Sequence, residues 1–387
     1  MKKLLVIIAI LSIFTGTLLA TDFSWKGSFR TRTSNYTDIA AESSQDTVSI
    51  IVSRFRLYTT ATMSENLKAV VGFEIGDFEW GNDGHNHDYK NVETKRAYLE
   101  FTPEMADILT FRVGLQGYTD QFGAAVFDED AAGIMIMPAL EGFEMNAGIL
   151  VLEDDDVETD SHTLGIIDLS KKMDKLNLKG SLYYDTVRKA YSNIYLGAGA
   201  DYSMDLLGFG GQFIYMSWKE DSDLGDDEVS GYFAYLYGKY SHDKLSAKIN
   251  FGYAPADYSG DNPVYFMGIK PYAELYGLEY FFPGSVFDGF TYQDDYGSFD
   301  FLGPVGSMVI SANLKYDFLF ATFGMINITE DSFDDKVLGT EIDLGINYEL
   351  TEGLSFKAVY AMFMAGDFFA DNIENGSEIS TQLKYKF

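Results

Sequence analysis

The chain ends on Glu378-Ile379-Ser380-Thr381-Gln382-Leu383-Lys384-Tyr385-Lys386-Phe387, where polar and apolar side chains alternate up to a terminal aromatic. Successive side chains of a strand point to opposite faces, so this stretch has one wet face and one apolar face. As the edge of a soluble sheet it would present Leu383, Tyr385 and Phe387 to water beside a row of unpaired backbone groups. Closure against the first strand removes that edge and gives the apolar face to lipid. The expectation is an all-β fold, a transmembrane antiparallel β-barrel.

The other end agrees. Lys2 and Lys3 precede an apolar run from Leu4 to about Phe14, then small and weakly polar residues to Ala20. The run is broken by Ser12, Thr15 and Gly16 before it reaches the ~20 residues of a membrane helix, so residues 1–20 read as a secretory signal peptide and 21–387 as one barrel domain. In the remainder no apolar stretch is long enough to span as a helix, although 47% of residues are hydrophobic and 16% aromatic. The apolar residues are therefore spread in alternation. Thirty-one Phe, 27 Tyr and 37 Gly with only seven Pro suit many strands joined by turns. With no Cys, a closed hydrogen-bonded wall takes the stabilising role that disulfides have in many exported domains.

The formal charge is −31, and loss of the leader's two Lys leaves 26 basic against 59 acidic residues. Nucleic acid is excluded as a partner by such a surface. The acids gather in turn-rich runs, residues 153–156, 220–228 and 330–335, where charge is simply solvated.

Eighteen strands are expected near residues 23–33, 49–62, 67–77, 92–102, 108–118, 132–138, 142–152, 161–170, 175–186, 191–204, 208–219, 229–241, 245–255, 304–317, 318–328, 337–350, 354–364 and 376–387. Short turns such as 64–66, 103–105, 205–207, 242–244 and 351–353 follow the even-numbered strands, and long acidic connections follow the odd ones. That alternation matches short periplasmic turns, long external loops and an even strand number. One connection, 256–303, is far longer than ordinary loops and reads as a lid or inward plug, or as a long external loop. Its stretch Tyr272 to Phe282 has some strand character, so sixteen and twenty strands stay open.

Setting the apolar side toward lipid assigns the alternate side chains to the lumen. Trp25, Gly27 and Phe29 then point outward, and six of the seven arginines, Arg30, Arg32, Arg54, Arg56, Arg96 and Arg112, form a basic cluster on one arc of the inner wall. The far arc is mixed to acidic, with Glu341, Asp343, Glu349 and Glu378 inward beside Lys384 and Lys386. A Lys or Arg on the lipid face at mid-bilayer costs ~2 to 4 kcal/mol, which favours this phase over its inverse. Arginines in such a lumen either pair with neighbouring carboxylates or act on a passing ion across low-dielectric walls. The connection Thr119 to Asp130, the third long one, holds small residues Gly123 to Ala125 that let it fold against an inner wall. It would bring Asp120, Asp128, Glu129 and Asp130 opposite the arginines.

The leader, the even hairpin count, the terminal Phe387 and the acidic Phe122-Gly123-containing third loop resemble bacterial outer-membrane porins. The resemblance spans residues 21 to 387 as a pattern, with no sharp local motif. It implies that the third loop enters the barrel and faces a basic cluster across an eyelet, and that Tyr385 and Phe387 form the signal read by the barrel-assembly machinery. It further implies location in the outer membrane, among lipid and lipopolysaccharide. Familiar trimeric general porins have sixteen strands and monomeric substrate-selective relatives often eighteen, so a homotrimer and a monomer both stay open. The implied function is a water-filled channel for passive diffusion of ions and small hydrophilic solutes. The alternatives are a channel selective for anionic solutes and a surface structural or adhesion barrel.

No enzyme is expected: four His, at 85, 87, 162 and 242, have no nucleophile or acid that sequence can place beside them. No cofactor or metal is expected either. The segment Asn82 to Asp88 reads as a solvated loop tip, and the acidic loops lack a spacing specific for Ca²⁺ or Mg²⁺.

Overall fold

The structure, a computed structural model, describes residues 22–37, 47–81, 92–152, 162–188, 190–220, 227–257, 263–269, 275–278, 306–330, 336–368 and 375–387. The strands run β1 (Asp22–Thr37), β2 (Thr47–Ser64), β3 (Leu67–Glu79), β4 (Val92–Phe101), β5 (Leu109–Thr119), β6 (Asp128–Leu140) and β7 (Phe143–Leu152). They continue through β8 (His162–Met173), β9 (Leu176–Val187), β10 (Tyr191–Ser203), β11 (Leu207–Glu220), β12 (Glu228–His242) and β13 (Leu245–Ala254). After two short pieces, β14 (Ala256–Asp257) and β15 (Val264–Tyr265), come β16 (Ser307–Tyr316), β17 (Leu319–Ile328), β18 (Val337–Thr351), β19 (Leu354–Ala365) and β20 (Gly376–Lys386).

Eighteen of these form the wall. Each pairs antiparallel with the next, β13 pairs with β16 across the long connection, and β20 pairs with β1 from Ser28↔Lys386 to Tyr36↔Glu378. The sheet is therefore a closed barrel of eighteen strands, and sixteen and twenty fall away. The wall strands are 10 to 18 residues long, enough to cross the hydrocarbon when tilted. β6 begins at Asp128, four residues before the expected 132, because Asp128, Glu129 and Asp130 pair with Thr119, Tyr118 and Gly117 and prolong the hairpin.

Alternation sets the two faces as expected. On β1, Trp25 and Phe29 are exposed while Arg30, Arg32 and Ser34 are buried. On β18, Leu344 is exposed between the buried Asp343 and the half-buried Gly345. One rim carries short turns, among them 141–142, 174–175, 243–244, 317–318 and 352–353. Asp174, Asp243 and Asp317 take positive φ there, a conformation a short polar side chain tolerates. The other rim carries the longer connections, with one departure: β9 and β10 are joined by residues 188–190 alone.

The last residue locks the seam. Gly27 N–H donates to Phe387 O at 2.8 Å, and Phe387 N–H donates back to Gly27 O at 3.1 Å. The Phe387 ring lies over Gly27, in the space a Cβ there would fill, stacked on Phe55 at 6.3 Å and Tyr385 at 5.7 Å between centroids. A Gly27→Val chain should therefore displace this ring at a cost of ~1 to 3 kcal/mol. The expected outcome is a smaller heat-modifiable, folded fraction on semi-native gels after refolding into detergent. Equal folded fractions would show that the ring's seat does not matter.

Candidate functional site: the lumen wall and its inward loops

The arginine arc spans β1, β2, β4 and β5. Arg30 and Arg54 stand directly opposite each other in register, a repulsive placement for two like charges. Asp77 relieves it, lying 2.8 Å from Arg30 and 3.2 Å from Arg54. It reaches them because β3 slips register against β2 between Ser53 and Phe55, so that Gly76 and Asp77 are inserted opposite Arg54. A bulge re-aims a side chain in this way. Gly76 has φ +128°, and a Cβ there would lie 2.6 Å from Ser53 O. Arg56 pairs with Glu74, and Arg112 gives two bonds to Glu100 at 2.8 and 2.9 Å while Lys68 holds the other oxygen at 2.7 Å. Arg96 pairs with Asp130. Arg32 is 1% exposed. Arg30, Arg54, Arg56, Arg96 and Arg112 thus share wall carboxylates. Asp77 reaches Arg30 and Arg54 only through the bulge, a feature that alternation does not announce.

The connection 120–127 does fold inward, but its acids do not line up against the arginines. Asp120 accepts N–H bonds from Phe122 (2.7 Å), Val126 (2.6 Å) and Phe127 (2.9 Å), so its carboxylate is the hub of its own loop. Asp128, Glu129 and Asp130 lie on β6. Asp128 accepts the Thr119 hydroxyl, Glu129 accepts the Asp130 N–H at 3.1 Å, and only Asp130 meets an arginine. The reason is the loop's destination, the opposite wall. Gln121 donates to Ser181 Oγ at 2.6 Å and Gly180 O at 2.8 Å, and Gln212 donates to Phe122 O at 2.6 Å. Phe122, 0% exposed, seats its ring on the inward faces of Gly197 and Gly199. Beneath the loop Asp168 accepts hydroxyls from Tyr118, Ser181 and Tyr183, a buried polar cluster that sequence reasoning missed. Its signal was faint: a lone acid at an inward position of β8.

The described parts of the long connection also lie inside. Where β13 leaves β12, Val264 pairs beside Ser230 and the backbone of Tyr265 rests on Gly231. Phe266 packs edge-on to Tyr195, whose hydroxyl donates to Met267 O at 2.9 Å. Ile269 N–H then donates to Val126 O at 2.9 Å, tying this segment to the first loop. Further on, Leu275 O accepts from the Tyr235 hydroxyl at 3.2 Å, and Tyr276 O accepts from Ser311 and Asn313 at 2.9 Å each. The inward reading of 256–303 therefore holds for residues 263–269 and 275–278. The remainder of Tyr272 to Phe282 lies outside the described residues, as does the segment Asn82 to Asp88.

His162, without a sequence partner, shares a 2.6 Å hydrogen bond with Asp185 and stands edge-on to Tyr191. Among the described residues no group of His, Asp and Glu has the arrangement of a metal site.

This architecture is similar to solved barrels. OccAB4 from Acinetobacter baumannii matches with TM-score 0.60 and 14% identity over 95% of this chain and 98% of that one. OccK8 (OprE) from Pseudomonas aeruginosa matches with TM-score 0.60 and 13% identity over 95% and 99%. The outer membrane protein OprD from Pseudomonas aeruginosa matches with TM-score 0.60 and 14% identity over 95% and 94%. At these identities the likeness is one of fold, that of an outer-membrane β-barrel. No family model and no curated protein matches the sequence.

Asp120 carries a pH dependence. Burial raises its pKa, the N–H donors of Phe127, Val126 and Phe122 lower it, and the Asp168 carboxylate raises it again, leaving it at about 6. A released loop titrates near the ordinary 3.8, so the seated loop binds the proton more tightly. The proton's contribution to seating is therefore full below about pH 4 and lost as pH rises through about 6. Amide protection factors of Phe122, Val126 and Phe127, corrected for intrinsic exchange, should fall between pH 4.5 and 7.5, and Asp120→Asn should flatten the change. Equal protection at both pH values in the parent chain would contradict this.

Proposed function

We propose that the chain forms a water-filled channel of the outer membrane that passes small hydrophilic solutes and selects among them at a constriction. One observation carries the reading: residues 120–127, and the described residues 263–269 and 275–278 of the long connection, enter the barrel from the external rim, with 269 bonded to 126, while the opposite wall keeps a ladder of arginines and carboxylates. A barrel of eighteen strands leaves an aqueous lumen unless something narrows it. Loops held by specific side-chain bonds narrow it in a fixed shape, which suits selection better than a general sieve.

The ladder Arg30, Arg54, Arg56 and Arg112 with Asp77, Glu74 and Glu100 offers a row of alternating charge along which an ion or zwitterion is handed from site to site. Anionic solutes are the favoured class on the arginine count. The pairing with carboxylates makes that preference mild, since each guanidinium already shares its charge with a neighbour. The adhesion reading fits less well, because the described parts of the long connection are spent inside the barrel instead of standing above it. The outward face, with Trp25, Phe29, Tyr385 and Phe387 exposed, suits lipid and supports Tyr385 and Phe387 as the assembly signal. Small solutes and ions are the partners this reading requires, and neither an enzyme nor a cofactor enters it.

Planar-bilayer recording tests the proposal. The purified protein should give steady conductance, and a silent protein would remove the channel reading. Arg54→Gln with Arg56→Gln leaves Glu74 without its arginines and should move the reversal potential toward cations. Glu74→Gln should move it toward anions. A potential that neither change moves would place the ion path away from this wall.

A further inference from the structure

On the short-turn side of the seated loop lies a cavity of about 410 Å³ in the inner wall of β5 to β9. Its lining includes Gln116, Glu144, Asn146 and Ser170, with Arg112 and Lys179 at its two ends. Register puts these side chains on one face: Asn146 stands opposite Asp168, Glu144 opposite Ser170, and Ser170 opposite Lys179. The volume falls in the range of small-molecule sites, and the lining is mostly polar.

The two cations are already committed. Arg112 gives Nε and Nη2 to Glu100, and Lys179 lies 2.8 Å from Asp201 Oδ2. The side chains of Glu144, Asn146 and Ser170, by contrast, have no bond or ion pair among the described residues. Gln116, 1% exposed, spends its amide nitrogen on Gly114 O and Gly133 O, and its Oε1 has no partner. That oxygen is closed to water, so it belongs to the packed edge of the cavity and is not a contact for its occupant. The uncommitted set open to the cavity is thus a carboxylate, an amide and a hydroxyl, acceptors outnumbering donors.

We infer that this cavity is a binding subsite for neutral polyhydroxylated solutes, sugars or polyols, on the path of the channel. The inference rests on the channel reading for its role, though not for the site itself. Hydroxyl groups donate to Glu144 and accept from Asn146, and do either with Ser170, so one chemical group satisfies both kinds of lining. A free carboxylate meets Glu144 and Asp168 with no uncommitted cation to offset them. An ammonium only donates, and leaves the Asn146 N–H groups without an acceptor.

Sucrose is the probe. Added to a bilayer at rising concentration it should reduce each channel's current along a saturating curve, and isothermal titration of the detergent-purified protein should give heat with the same midpoint. Glu144→Ala and Asn146→Ala, each normalised to its own unblocked current, should raise that midpoint about 10-fold. A polyethylene glycol of similar size should block without saturating. Conductance with no saturable block and no heat, or midpoints unmoved in both variants, overturns the subsite while leaving the channel. Heat without any conductance leaves the subsite and overturns the channel.

Discussion

A backbone that crosses lipid has no water to turn to, so every N–H and C=O between the two rims must find a partner in the protein, and each one left over costs several kcal/mol. The pairing of β20 with β1 discharges that requirement, and the rest of the molecule inherits it. Because side chains alternate with a period of two, fixing the register of this one ladder fixes the face of every residue around the wall. It also sets what meets at the seam. Lys384 stands opposite Arg30 and Gln382 opposite Arg32, while the Ser34 hydroxyl donates to Glu378 at 2.5 Å. The charge therefore changes sign along the seam, from basic near the short-turn rim to acidic toward the other, and not from one strand to its neighbour.

Once the apolar faces are outside, the charged residues have only the lumen, and there they must be reconciled with one another. Arg30 opposite Arg54 would be a standing repulsion, and leaving either without a counter-charge in a partly dehydrated wall costs more than an exposed pair ever gains. The bulge at Gly76 and Asp77 is the local answer, bought with one irregular position in β3. The same ions then serve two ends. Their pairing keeps the arc stable, and their alternation gives the lumen a graded potential that a bare row of arginines would not have.

The wall was legible in the sequence because its determinants are local: alternation, turn residues and the charge of each inward position can be read a dozen residues at a time. All eighteen strands emerged from that, and so did the inward phase of Arg30 and Arg32. The loops were not legible in the same way. That 120–127 would enter the barrel was suggested by small residues, but where it would lie depended on Gln212 and Ser181, scores of positions away. Asp120 shows the cost of reading charge alone. An acid placed opposite arginines by sequence becomes a backbone acceptor once its loop is buried, because the N–H groups of a dehydrated loop need satisfying before any distant guanidinium does.

The inward glycines complete the account of how a wide barrel acquires a narrow interior. Gly197 and Gly199 face Phe122, Gly252 faces Tyr276, and Gly324 faces Leu278, so each inward segment puts a bulky side chain into a notch where the wall has none. A side chain at Gly197, Gly252 or Gly324 would push its segment off the wall and into the lumen. Missing wall side chains and large loop side chains are thus one arrangement: the wall gives up volume at chosen inward positions, the loops fill it, and the open part of the lumen is left in front of the charged arc. Strand number alone would leave a wide lumen. The notches, with Asp120 holding its loop closed upon itself, let the loops reduce that width while their large side chains pack directly on the wall.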